Sequence, residues 1–194
     1  IQIVLGDISG KILKSKKYSL KKRLLEKEHN ILELTEKLIE REIKKNRDIS
    51  IISVVMNGMV DSENGISIFS PHYNWKNINL KKRFENRFRV KVFVENDVRA
   101  MALTEKIFGS CKDNQNFVVM NIGDGVGGSI FLNDAPYHGY GSISGELGHM
   151  VVRRNSPEKC SCGKKGCLET EVSNVAIIKK ITSQIKLNNY SSLQ

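Results

Sequence analysis

Ile31, Leu34, Leu38, Ile39 and Ile43 recur at helical spacing through a charged segment, which predicts an amphipathic helix whose apolar face covers a sheet. Leu80, Phe84 and Phe88 mark a second helical face that leads into a strand over residues 90–94. Ahead of both, two short apolar stretches, residues 1–5 and 11–14, flank Asp7-Ile-Ser-Gly10 and predict a hairpin. Residues 50–56 predict a buried strand and residues 57–61 a loop. Residues 97–108 predict another helix, capped by Asn96 or Asp97 and stopped by Gly109. Strands are expected at 117–121 and 126–132, and a last helix at 172–187 before a polar end, 188–194. The alternation of helix and strand is that of an α/β chain.

The polar stretch 110–116 is the best candidate linker, which divides the chain into a first α/β domain, residues 1–110, and the start of a second, residues 117–194. With 194 residues, 40% of them hydrophobic and 27% charged, there is enough apolar material for a sizeable core. Apolar runs such as Ile51-Ile-Ser-Val-Val-Met56 are too short to cross a bilayer, and the first residues lack the pattern of a secretory signal. A cytoplasmic protein with no membrane partner is expected. An unpaired Cys111, beside cysteines better suited to a metal than to disulfides, agrees with a reducing compartment.

A formal charge of +10 raises the question of nucleic acid. The lysines and arginines are scattered along the chain rather than gathered in one stripe, and no aromatics interleave with them to stack bases. A solvated basic surface is the better reading.

The densest chemistry lies at Cys160-Ser-Cys162-Gly-Lys-Lys-Gly166-Cys167, with His149 upstream in Gly145-Glu-Leu-Gly-His149. These residues offer soft sulfur ligands and an imidazole, the set that tetrahedral Zn2+ prefers, and the glycines permit the tight turns that aim neighbouring thiolates at one ion. Because protein fills all four positions, the ion is expected to be structural rather than a Lewis acid. Glu146 stands three residues before His149, and Glu169 two after Cys167. The metal is therefore placed to hold two carboxylates in position.

Glu95-Asn96-Asp97 falls where a strand ends and a helix begins, a place where open α/β sheets present ligand-binding groups. An amide and a carboxylate there suit the vicinal hydroxyls of a polyol, and Asp97 is a candidate general base for phosphoryl transfer to an alcohol. An ordinary helix cap accounts for the same residues. The glycine run Gly123-Asp-Gly125-Val-Gly127-Gly128 resembles a phosphate cradle, but by itself this is a weak signal, and a tight hairpin between two strands is the better reading of the same glycines. Asp124 counts against a triphosphate, since its charge opposes one unless it faces away or holds Mg2+.

Taken together, Gly145-Glu-Leu-Gly-His149, Cys160-x-Cys162-Gly-x-x-Gly166-Cys167-Leu-Glu169, Val94-Glu-Asn-Asp97, the Trp75–Leu80 segment and the glycine run resemble the ROK family of repressors, open reading frames and kinases in order and spacing. The resemblance covers essentially the whole chain. It implies a ribonuclease H-like, actin-like ATPase fold of two α/β domains, the second truncated, that binds a sugar. It also implies that Asn96, Asp97, Glu146, His149 and Glu169 bind the sugar, with His149, Cys160, Cys162 and Cys167 as the metal ligands and a homodimer or larger homo-oligomer as the assembly.

Departures from the family's kinases, Asp124 and Arg99 above all, weaken the kinase reading. Their N-terminal phosphate hairpin is expected ahead of Ile1 and their adenosine-binding part beyond the last helix, so the chain is expected to be truncated at both ends. Asp124 stands where they usually have Thr, Arg99 where they usually have Asn, and Asn57-Gly58 where they usually have Pro-Gly. The expected function is the sugar-sensing effector region of a transcriptional repressor of carbohydrate metabolism, reaching DNA through a winged-helix domain outside this chain. The alternative is an ATP- and Mg2+-dependent hexose kinase with Asp97 as its general base and the glycine run as its phosphate loop.

Overall fold

The computed structural model describes residues 1–19 and 28–188, so residues 189–194 of the expected polar end lie outside the described residues. The chain divides into two compact units, Ile1–Asn96 and Asp97–Gln194.

The first unit opens with the predicted hairpin, β1 (Gln2–Gly6) antiparallel to β2 (Ile12–Lys17). Asp7 Oδ1 closes its turn by accepting from the Ser9 and Lys11 amides and the Ser9 hydroxyl. The amphipathic helix follows as α1 (Glu28–Lys45), then β3 (Ile51–Met56), which pairs in parallel with β7 (Lys91–Asn96). Between these strands the chain folds a meander, β4 (Met59–Asp61), β5 (Ile66–Ser70) and β6 (Trp75–Asn79), and then α2 (Leu80–Phe88). Asn79 caps α2 by accepting from the Lys82 amide at 2.8 Å, and Arg89 ends it in the left-handed conformation.

Ile31 and Leu32 of α1, Leu80 and Phe84 of α2, and Val60, Trp75, Val92 and Val94 of the strands form one buried cluster. Each large apolar side chain removed from water there contributes roughly 1.5–3 kcal/mol. Glu36 of α1, itself buried, faces Arg83 (2.5 Å) and Arg87 (3.5 Å) of α2, so an ion-pair network ties the two helices together beside the apolar contacts.

Two expectations need correction here. Residues 50–56 do not make a strand buried on both faces: Ile51 and Val55 are exposed, because β3 covers only its alternate side chains within a two-stranded sheet. Nor is 57–61 a loop. Only Asn57 and Gly58 turn, and Met59–Asp61 is already β4, with Val60 buried against the core. The meander strands β5 and β6 had no strong alternating pattern to announce them.

The second unit begins with α3 (Asp97–Ile107), which packs on β8 (Phe117–Ile122) and β9 (Val126–Leu132). The compact units thus part at Asn96/Asp97 rather than within 110–116. That polar stretch is folded onto the unit: the Lys106 ammonium donates to the carbonyls of Lys112 and Asn114, and the Asp134 amide to that of Gln115. Strands β8 and β9 form an antiparallel hairpin with Phe117 stacked on Phe131, extended by β10 (Ala135–Pro136). After a loop carrying two single 3-10 turns come α4 (Leu168–Val172) and α5 (Asn174–Asn188); the expected last helix is α5, which starts two residues later than expected, after the extended Ser173. No helix among the described residues is long and apolar enough to cross a membrane.

Candidate functional site

The loop between residues 149 and 167 folds through local backbone bonds that the glycines make possible. The Cys160 amide donates to the Lys164 carbonyl and the Gly163 amide to the Cys160 carbonyl, while the Val152 amide reaches the Gly166 carbonyl at 2.9 Å. Gly166 has φ +70°, and a Cβ there would lie 1.8 Å from the Arg153 carbonyl oxygen. No side chain fits, so glycine is required where two stretches of backbone cross.

This folding gathers His149, Cys160, Cys162 and Cys167 with their ligand atoms all within 4.8 Å of one another. His149 Nδ1 lies 3.4 Å from Cys160 Sγ, and the Cys162 and Cys167 sulfurs are 3.6 Å apart. Cys160 and Cys167 are buried and Cys162 is exposed. Burial, and then hydrogen bonding with the neighbouring thiols, pushes the Cys167 thiol up to about 12. The Lys164 backbone amide acts in the opposite direction on Cys162, holding its thiol below the ordinary range. Three sulfurs and an imidazole so placed can hold a metal ion, whose charge would offset the cost of a buried thiolate.

The two acidic residues flanking this cluster take different partners. Glu146 Oε2 lies 3.6 Å from His149 Nε2, while the other ring nitrogen, Nδ1, faces Cys160 Sγ. Glu169, in the first turn of α4, instead accepts the backbone N–H of Val126 at 3.0 Å. Val126 opens β9 directly after the glycine turn, where the Gly123 amide donates to the Gly125 carbonyl at 2.9 Å. Only Gly123 and Gly125 flank the turn. Gly127 and Gly128 lie within β9, where a Cβ would meet Val98 Cγ2 at 2.7 Å and Leu147 Cδ1 at 2.5 Å.

Asn96 ends β7, and its carboxamide nitrogen donates to the Gly58 carbonyl at 3.0 Å. Gly58 has φ +93° and a Cβ there would lie 2.4 Å from the Phe69 carbonyl oxygen; neighbouring Asn57 is held by the buried Ser70 hydroxyl at 3.0 Å. Glu95 Oε1 accepts from the Ser62 hydroxyl and the Asn96 amide, both at 2.7 Å. Asp97 is the first residue of α3, with Oδ1 accepting from the Val98 amide at 3.0 Å. Sequence reasoning missed Ser62, Ser70 and Gly58 as supports of Asn96, because their partners stand 13 to 38 residues away.

An α/β chain of the actin-like ATPase type, with a sulfur–imidazole cluster backed by carboxylates, is the class that fold and site define. The ROK family model matches residues 1–193, and the chain belongs to the ROK family. It is 32% identical over 98% of its length to the xylose repressor of Bacillus spizizenii and 34% identical over 95% to the DNA-binding transcriptional dual regulator NagC of Escherichia coli, covering 49% and 45% of those proteins. The glucokinase of Thermotoga maritima is 36% identical over 78% of the chain, which covers 47% of that enzyme. The crystal structure of a ROK family transcriptional regulator, a homologue of the E. coli MLC protein, superposes with a TM-score of 0.87 over 99% of this chain and 48% of that one, at 32% identity. The chain thus spans about half the length of the curated relatives it matches.

Proposed function

We propose that this chain is the sugar-sensing region of a ROK transcriptional repressor of carbohydrate metabolism. Its metal ion is Zn2+, held by His149, Cys160, Cys162 and Cys167 in a structural role. Around a tetrahedral zinc, with Zn–S near 2.3 Å and Zn–N near 2.0 Å, neighbouring ligand atoms stand about 3.5–3.8 Å apart. The spacings of 3.4 Å and 3.6 Å within the cluster suit that ion.

Asn96, Asp97, Glu146, His149 and Glu169 are the proposed sugar-binding residues. The observation that carries this is the Glu146–His149 contact of 3.6 Å: a metal-anchored ring steadies a half-exposed carboxylate, an acceptor suited to a sugar hydroxyl. Sugar binding would favour one arrangement of the whole protein and so shift its DNA-binding population, with no bond made or broken. DNA contact falls to a winged-helix domain outside this chain, and the assembly is a cytoplasmic homodimer or larger homo-oligomer. Similarity to the xylose repressor along 98% of the chain supports the regulator reading.

The second reading, an ATP- and Mg2+-dependent hexose kinase, draws support from the glucokinase relative and from Asp97 at the head of α3, where a general base would sit. Asp124 in the glycine turn weighs against it. The deciding experiment titrates the intact protein with D-xylose, N-acetylglucosamine and their phosphates, follows operator release, and runs a coupled ATP assay in parallel. Sugar-dependent release without ATP turnover supports the sensor; Asp97-dependent phosphorylation would replace it with the kinase.

A further inference from the structure

The glycine turn has an occupant of its own. Glu169 Oε2 accepts the Val126 N–H at 3.0 Å, and a Cβ on Gly125 would stand 2.8 Å from that same oxygen. On the other strand of the turn, the Asn174 amide donates to the Gly123 carbonyl at 2.8 Å. The turn is therefore gripped by both helices that follow Cys167, by a side chain of α4 and by the first backbone amide of α5. Gly127 and Gly128 are accounted for separately, by the closeness of Val98 and Leu147. Of the run, only Gly123 would carry a Cβ into open space.

We propose that the Gly123–Val126 turn serves as a cradle for the chain's own Glu169 carboxylate, with Gly125 and Val126 as positioning residues that fix Oε2 and leave Oε1 to accept an effector hydroxyl. The chemistry matches that of an anion cradle: a backbone amide freed by a tight turn, and a missing Cβ that lets the anion approach. The anion is supplied in cis. A nucleotide phosphate entering the same turn would compete with Glu169 for the Val126 amide and meet two carboxylates, Glu169 and Asp124. The second half of this proposal, presentation of Oε1, rests on the sugar-sensing reading; the cradle itself does not.

The test uses the intact protein with Glu169→Ala, Glu169→Gln and Gly125→Ala, reading amide hydrogen exchange across residues 123–128 and metal content. Glu169→Ala is expected to speed exchange at the Val126 amide about tenfold while metal is retained. Glu169→Gln, whose carbonyl oxygen still accepts, is expected to keep the protection, and Gly125→Ala to lose it by displacing the side chain. Unchanged Val126 exchange in metal-replete Glu169→Ala or Gly125→Ala overturns the cradle. Calorimetry with D-xylose and N-acetylglucosamine supplies the second arm, in which Gly125→Ala is expected to weaken binding about tenfold or more. A Gly125→Ala protein that has lost Val126 protection yet binds sugar like the parent overturns the presenting role. A parent that binds neither sugar sinks that role together with the sensing reading, and the exchange result still judges the cradle by itself.

Discussion

Glu146 and His149 meet through Oε2 and Nε2 at 3.6 Å, while the other nitrogen of the same ring faces Cys160 Sγ at 3.4 Å. One imidazole thus joins a carboxylate to a sulfur cluster, and whatever orders the cluster also orders the carboxylate.

Replacing Cys162 with Ser removes a soft ligand from a set of four. Structural zinc contributes on the order of 10 kcal/mol to small zinc domains. The intact variant is expected to carry well below one equivalent of zinc and to unfold at lower temperature. Elemental analysis finding a full equivalent contradicts the ligand assignment.

Glu146→Gln keeps the shape at the ring and removes the charge. Loss of such an outer partner typically costs about 10–100-fold in metal affinity, and loss of a charged acceptor for a hydroxyl costs roughly 1.5–3 kcal/mol. The variant is expected to hold zinc less tightly in a chelator competition and to bind sugar at least about tenfold more weakly. Unaltered sugar affinity would remove Glu146 from the proposed site.

Asp97→Asn separates the two functional readings. A sensor with this change loses sugar affinity and has no phosphoryl transfer to lose; a kinase keeps much of its sugar affinity and loses turnover by a factor of about 100 or more. Parallel binding and coupled-enzyme assays on the parent and variant distinguish the outcomes.

Glu171 gives a pH dependence with a defined sign. The Lys180 ammonium, then the Ser156 hydroxyl and the charge of Arg153, hold its carboxyl below the ordinary value of 4.5 against the opposing effect of desolvation. Because the folded value is depressed, the stabilisation is present above 4.5 and fades as pH falls through the folded value. Lys180 is about half exposed, so the contribution is about 1 kcal/mol, or roughly 2–4 °C in melting temperature. Glu171→Gln is expected to lower the melting temperature by that amount at pH 7, with the gap to the parent narrowing as pH falls below 4.5. A gap that does not narrow as the medium is acidified points to packing instead.

Glu36→Ala tests the link between α1 and α2. Glu36 is buried while Arg83 and Arg87 remain partly exposed, so the stranded guanidinium groups can turn to water and the cost is expected near 2 kcal/mol rather than the 3–5 of a fully buried pair. Chemical denaturation measures it.

Much of the site was written locally. Cys160, Cys162, Cys167, His149 and the glycines between them lie within 19 residues, and the turns that aim ligands at one point depend on neighbours along the chain, so spacing alone announced the cluster. Helices α1 and α2 were legible for a similar reason, since an apolar stripe at 3.6-residue intervals has one stable use. Residue order likewise placed Asn96 and Asp97 at a strand-to-helix junction.

Tertiary structure decided what long-range contacts control. Whether β3 was buried on one face or two depended on how many strands and layers formed around it, and α3 joined the second unit because Val98 packs beside Gly127, 29 positions on. The glycine run read more readily as a hairpin than as a phosphate turn, but nothing in it named its partner: Glu169 stands 43 residues from Val126. Spacing along the chain specifies turns, faces and ligand sets, because those depend on bonds and angles between near neighbours. Which anion fills a cradle depends on which distant side chain the packed fold brings to it.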